Sequence, residues 1–297
     1  MPSVAPPGSA GAAPHAFAEI LRDVSYRRLW LSGLFVNGAR WMDLVLLGWL
    51  AFQLTDSPFM VAVAAFARSA PMMLLGPFAG LVADRMHRGR VLLFTQSLGI
   101  VTGLALAALF FAGWGRFWPM VALQTLFGVL WALDFPARRT ALYALVGSRR
   151  VATAVSLETV SMQVAKMVGP VLAGIGLARY GPAPCYAAVS VLYAVGLAVF
   201  IGLPARIGGP DARDPASVVS SLGAGFREAW HEPAVRAVLI ITVLMNVLFF
   251  PYQHMLPVFA RDVLAVGPVA LGILVAADGC GALIGALTIA AGRGRLA

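Results

Sequence analysis

The chain has 297 residues, is 60% hydrophobic and only 12% charged, and has a mean hydropathy of +0.84. Soluble domains are roughly half apolar and about a quarter charged, so this is the make-up of a polytopic membrane protein. The net charge of +9 would suit nucleic acid only as a basic patch on one folded face, whereas the arginines here fall in short clusters between apolar runs.

In chain order, residues 1–24 are rich in Ala, Pro and Gly, without a basic leader or cleavage site, and are predicted to be a disordered tail. About 20 apolar residues cross a bilayer as a helix, and eight such segments follow: 29–51, 58–83, 91–113, 117–145, 151–178, 184–203, 235–259 and 268–291. Most connections are as short as TDSP (55–58), which makes sequence neighbours antiparallel partners. The longer stretch 204–233 divides six segments from two. The predicted organisation is therefore a six-helix bundle over 25–203, a cytoplasmic linker over 204–233, and the start of a second bundle over 234–297. Within the linker, Leu222, Phe226, Ala229 and Trp230 stand at helical spacing, as a short helix lying on the membrane face or a solvated helix with one packed side would have them. With the N-terminus inside, fourteen arginines from Arg22 to Arg295 lie at cytoplasmic ends, against Arg116, Arg179 and Arg261 outside. The chain stops at GRGRLA as segment eight reaches the cytoplasm, with nothing after it to pair with that helix, and so reads as interrupted.

Charges inside the spans are costly and by default mark pathways or pairs. Arg40 and Asp43 in segment one are three apart and share a helical face, either as a self-neutralising pair or with Asp43 as a proton-titrating acid. Glu158 and Lys166, the only lysine, are eight apart in segment five, which allows a shared partner or a charged lining. Asp278 in segment eight has no partner nearby in sequence; it either faces a central cavity or pairs with a cation on a helix outside this chain. Candidates for proton coupling are Asp43, Asp278 and Glu158. Segment seven holds Asn246, Tyr252, Gln253, His254 and two prolines six apart, Pro251 and Pro257, which predict a bent or broken helix. Its amide and aromatic groups suit an amphiphilic ligand, or equally an interfacial aromatic belt. With Arg40 and Lys166, the polar members of that set are the candidate substrate-cavity residues. No enzyme chemistry is indicated: His15, His87, His231 and His254 are scattered, both cysteines lie in apolar stretches, and there is neither a metal spacing nor a nucleotide loop. No cofactor and no catalytic residue is expected.

Between segments two and three, GLVADRMHRGR (80–90) resembles the signature loop of the major facilitator superfamily. WLAFQLTDSP (49–58), ARSAPMMLLGPFAG (67–80), DFPARRTALYALV (134–146), KMVGPVLAG (166–174) and HMLPVFARDVL (254–264) agree with it in order. Together they are similar to the branch of siderophore (enterobactin-type) and macrolide exporters, over roughly residues 20–296. The resemblance implies an all-α, polytopic membrane helix bundle of the major facilitator fold, with eight of an expected twelve transmembrane helices present. It further implies a cytoplasmic latch of Gly80, Asp84, Arg85, Arg88 and Arg90, in which Asp84 faces a helix N-terminus of the opposite half and Arg85 and Arg88 reach Asp134. Arg138 is then expected near the inner gate, and Arg139 at the interface. The basic residues of the loop could instead only set topology. Gly169, Pro170 and Gly174 match a Gly-Pro motif that accompanies export in antiporter branches, or else mark a simple proline kink. Many proton-coupled members have arginine where this chain has Gln124. The expected activity is export of a small amphiphile, a siderophore or drug-like compound, across the bacterial inner membrane by proton antiport with alternating access, with an N-terminus in the cytoplasm. The expected partners are that substrate and the lipid bilayer, not nucleic acid, and the full-length chain is expected to be a monomer. The alternative is a truncated product that is inactive or dependent on a partner chain.

Overall fold

The computed structural model describes residues 19–85, 87–203, 230–245 and 251–293, and excludes the side chains of 76–85, 148, 149, 239, 242, 243, 251, 286, 287 and 289–293. The predicted linker helix at 222–230, apart from Trp230, therefore lies outside the described residues, as do Asn246, the surroundings of Gly80 and the side chains of Asp84 and Arg85.

Every regular element among the described residues is helical. They are α1 (Val24–Thr55), α2 (Pro58–Arg85), α3 (Arg88–Phe111), α4 (Phe117–Gly147), α5 (Arg150–Tyr180), α6 (Pro182–Phe200), α7 (Pro233–Leu244), α8 (Pro251–Val258) and α9 (Pro268–Arg293). The protein is an all-α polytopic helix bundle. Seven of its described helices (α1 to α6 and α9) are long and apolar enough to cross a membrane. Of the segment predicted over 235–259, the helices α7 and α8 are described, and residues 246–250 between them lie outside the described residues. Pro257 lies inside α8, and its ring packs where a Cβ on Gly48 would stand 2.6 Å from it. One π-type turn, Phe259–Val263, follows.

Asp23 starts α1, its carboxylate accepting from the amides of Ser25 (2.8 Å) and Tyr26 (3.3 Å). Helices α4 and α5 run on through one non-helical residue, Gly147, at φ 66° and ψ 170°, a left-handed φ that favours glycine. Helix α1 packs chiefly on α6 and on the α4–α5 unit, α3 lies on α6, and α9 lies on the α4–α5 unit. Glycines set these approaches: a Cβ on Gly99 would come within 2.8 Å of the Tyr193 ring, joining α3 closely to α6.

Gly169, Pro170 and Gly174 mark the crossing of three helices. A Cβ on Gly169 would lie 2.9 Å from the Gly38 carbonyl oxygen and 3.0 Å from Trp41 Cβ, so α5 touches α1 backbone to backbone. A Cβ on Gly174 would collide with the Pro268 carbonyl at the start of α9, and one on Gly272 with the Pro170 carbonyl. The two contacts run in opposite directions along their helices, so α5 and α9 are antiparallel where they touch.

Candidate functional site

Three groups of charged side chains lie buried or half-buried in the bundle. In the first, Arg68 of α2 is 5% exposed and Asp43 of α1 is 1% exposed. Arg68 Nη1 donates to Asp43 Oδ2 and, at 2.6 Å, to Gln124 Oε1. The Gln124 amide closes the ring, with Nε2 donating to Asp43 Oδ1 at 2.6 Å and to Tyr186 Oη at 3.2 Å. Both carboxylate oxygens thus have a donor, as a buried charge requires. The local cause is Gly128 on α4: a Cβ there would overlap the Arg68 carbonyl oxygen, so only glycine lets α4 bring Gln124 this close. The departure noted at Gln124 now has a role, since an amide both accepts from Arg68 and donates to Asp43, which arginine cannot do.

The second group lies toward the α4–α5 junction. Arg138 grips Asp134, four residues earlier, through Nε and Nη2 at 3.1 Å each, and Nη1 reaches the Leu29 carbonyl at 3.4 Å. Arg138 and Asp134 are both buried, and the two-pronged geometry is the strong form of this pair. The carboxylate predicted to receive Arg85 and Arg88 is therefore gripped by Arg138 on its own helix; Arg88 is buried and Arg90 exposed. Arg139 is half-exposed, stacks on Phe135 at 5.2 Å and comes within 3.9 Å of Glu158.

The third group joins segment five to segments seven and eight. Lys166 Nζ stands 2.6 Å from Asp278 Oδ2, and Gln253 Nε2 donates to the same oxygen at 2.9 Å. Tyr252 also hydrogen-bonds Asp278. The Trp41 ring lies 5.0 Å from Lys166 Nζ, placed there by the close approach of α1 to Gly169.

Four expectations change. Arg40 and Asp43 form no direct ion pair among the described residues: Asp43 turns to α2, and Arg40 lies over the Trp131 ring at 4.3 Å. Among the described residues Glu158 and Lys166 share no partner, one facing Arg139 and the other Asp278. Asp278 pairs with a cation within this chain, because α9 packs against α5. Of the segment-seven candidates, Gln253 and Tyr252 meet Asp278, while His254 lines a small cavity with Leu44, Leu47, Val61, Ala65 and Pro257, which Gln253 also borders. Sequence reasoning did not single out Arg68 as the partner of Asp43, and it missed Trp41 altogether. A signal for Arg68 existed: residues 43 and 68 lie at nearly equal distances from the TDSP turn at 55–58, so on antiparallel helices they share a depth. Among the described residues no three His, Cys, Asp or Glu side chains converge as a metal site would need.

Residues 15–297 match the family model described as transmembrane secretion effector. A staphyloferrin A transporter of Staphylococcus aureus is 24% identical over 250 residues, 84% of this chain and 62% of that protein. The enterobactin exporter EntS of Shigella boydii is 27% identical over 266 residues, 84% of this chain and 61% of that protein. An uncharacterized MFS-type transporter of Bacillus subtilis, YfiS, is 27% identical over 130 residues, 44% of this chain and 30% of that one. The chain spans about three fifths of the length of the first and second of these relatives.

Proposed function

Since the chain belongs to the transmembrane secretion effector family of the major facilitator superfamily, we propose that it exports a small amphiphilic molecule, a siderophore or drug-like compound, by proton antiport with alternating access. The observation that carries this reading is the set of charges on membrane-spanning helices, above all the buried Lys166 paired with the half-buried Asp278 between segment five and segment eight. Charges at membrane depth are expensive to bury and are kept where they bind, relay or switch. In transporters of this kind two helix bundles rock about a site near the midplane, and contacts between bundles are the ones that must break and re-form. The enterobactin exporters among the relatives favour export and a siderophore-like cargo. Asp43, Asp278 and Glu158 are the acids proposed for coupling. The proposed setting is the bacterial inner membrane, with the N-terminus in the cytoplasm as the arginine asymmetry favours.

Inside-out vesicles from cells producing the protein test the reading. Enterobactin or a fluorescent amphiphile is expected to accumulate when an inward-acidic gradient is imposed, and an uncoupler is expected to abolish the accumulation. Accumulation that ignores the gradient would remove proton antiport, and none with either compound would remove this cargo class. The proposed latch makes a second expectation. Asp84→Asn should reduce accumulation to background while inserted protein, measured by immunoblot of washed membranes, stays unchanged. Normal accumulation by that variant would leave the basic residues of 80–90 as topology determinants alone.

A further inference from the structure

Building on the transport reading above, we propose that Lys166 is the receptor for a carboxylate on the transported amphiphile, and that Asp278 fills that receptor as an internal counter-ion while the cargo is absent. An ammonium has three donors, and Lys166 Nζ meets one carboxylate oxygen, at 2.6 Å, with no other acidic partner among the described residues. Its position does not depend on Asp278. The Trp41 ring faces it at 5.0 Å, and Trp41 is itself fixed by the tight contact of α1 with Gly169. Asp278 is equally provided for without the lysine, because Gln253 donates to it at 2.9 Å and Tyr252 hydrogen-bonds it from the same helix, α8. Each member of the pair therefore keeps a partner when the other leaves. Their openness is unequal: the Lys166 side chain is 11% exposed and that of Asp278 30%. Asp278, the more open of the two, is the member with room to swing aside and uncover the ammonium to an incoming anion. Exchange of one carboxylate for another conserves charge at the lysine, and at the same moment it releases the ion pair that ties α5 to α9. Cargo binding and loosening of that inter-helix contact are then one event, and a neutral molecule of the same shape achieves neither.

Equilibrium binding to the purified protein in phosphatidylcholine nanodiscs tests this with dansylglycine, an amphiphilic carboxylate, and dansylglycinamide, its neutral counterpart. The wild-type protein is expected to prefer the carboxylate. Asp278→Asn, by vacating the receptor, should tighten carboxylate binding about tenfold and leave amide binding unchanged. Lys166→Met should erase the preference. Lys166→Met with Asp278→Asn keeps a neutral pair in place in case a single variant does not fold, and it should bind both probes alike. The proposal is overturned if Asp278→Asn alters both probes equally, if either variant lacking Lys166 keeps the preference, or if the wild type binds neither probe. Vesicle transport separates the two levels. Transport of the amide as fast as the carboxylate would defeat the receptor assignment and leave export standing. A carboxylate preference in nanodiscs without any vesicle transport would do the reverse.

Discussion

Replacing Arg68 with alanine is expected to cost the folded bundle about 3–5 kcal/mol, the usual penalty for removing one partner of a buried ion pair. Asp43 is 1% exposed, and its Oδ2 is held by Arg68. Alanine leaves that carboxylate with only the Gln124 amide, in surroundings that include Leu46, Leu47 and Phe127 of the apolar core. The charge must then be neutralised by a proton or exposed by separating α1 from α2. Thermal unfolding in nanodiscs reads the loss as a lowered Tm. Removing both charges together, as Asp43→Leu with Arg68→Met, should recover most of it, because paired apolar residues of similar volume replace a buried pair at little cost. Gln124→Leu is a milder version, expected at about 1–3 kcal/mol for leaving polar groups of the ring unsatisfied. An unchanged Tm in Arg68→Ala would mean that Asp43 is already protonated in the folded protein. That result would move Asp43 from structural partner to foremost coupling acid.

The second large effect is expected at the crossing of α5 and α9. A Cβ on Gly174 would collide with the Pro268 carbonyl oxygen and lie 3.1 Å from Val269 Cα, while one on Gly272 would collide with the Pro170 carbonyl and lie 3.2 Å from Val171 Cα. These are backbone atoms, so no side chain can turn away to make room. Gly174→Val or Gly272→Val must push the helices apart, at about 1–3 kcal/mol for an overpacked contact. The Lys166–Asp278 pair spans the same two helices, with Lys166 eight residues before Gly174 and Asp278 six after Gly272. A shift of the crossing should therefore abolish vesicle transport as well as lower the Tm. Full transport with an unchanged Tm in both variants would show that α5 and α9 do not touch here in the membrane. Gly281→Val is the control, since a Cβ there meets nothing within 4 Å, and it should leave both readings near those of the starting protein.

The membrane class, six of the eight predicted segments as single crossings in the first half, and the family were legible in the residues alone. A crossing helix is specified locally, because the bilayer demands about 20 apolar residues in a row whatever lies beside them. Short turns such as TDSP then force neighbouring helices to run antiparallel. Arg40 stands three residues from Asp43, and spacing alone allowed their pairing without deciding it. The structure sends Arg40 to Trp131 and Asp43 to Arg68, because the rotation of each helix about its axis decides which face meets which neighbour. The partner of Asp278 lies 112 positions earlier in the chain, at Lys166, and no local pattern ties the two together. That pairing exists because Gly174 and Gly272 let α5 and α9 come into backbone contact. The sequence by itself determined where the chain enters the bilayer, since hydrophobic length is a property of each segment. Only the tertiary structure decided which charges meet, since that depends on the depth, rotation and closeness of helices far apart in the chain.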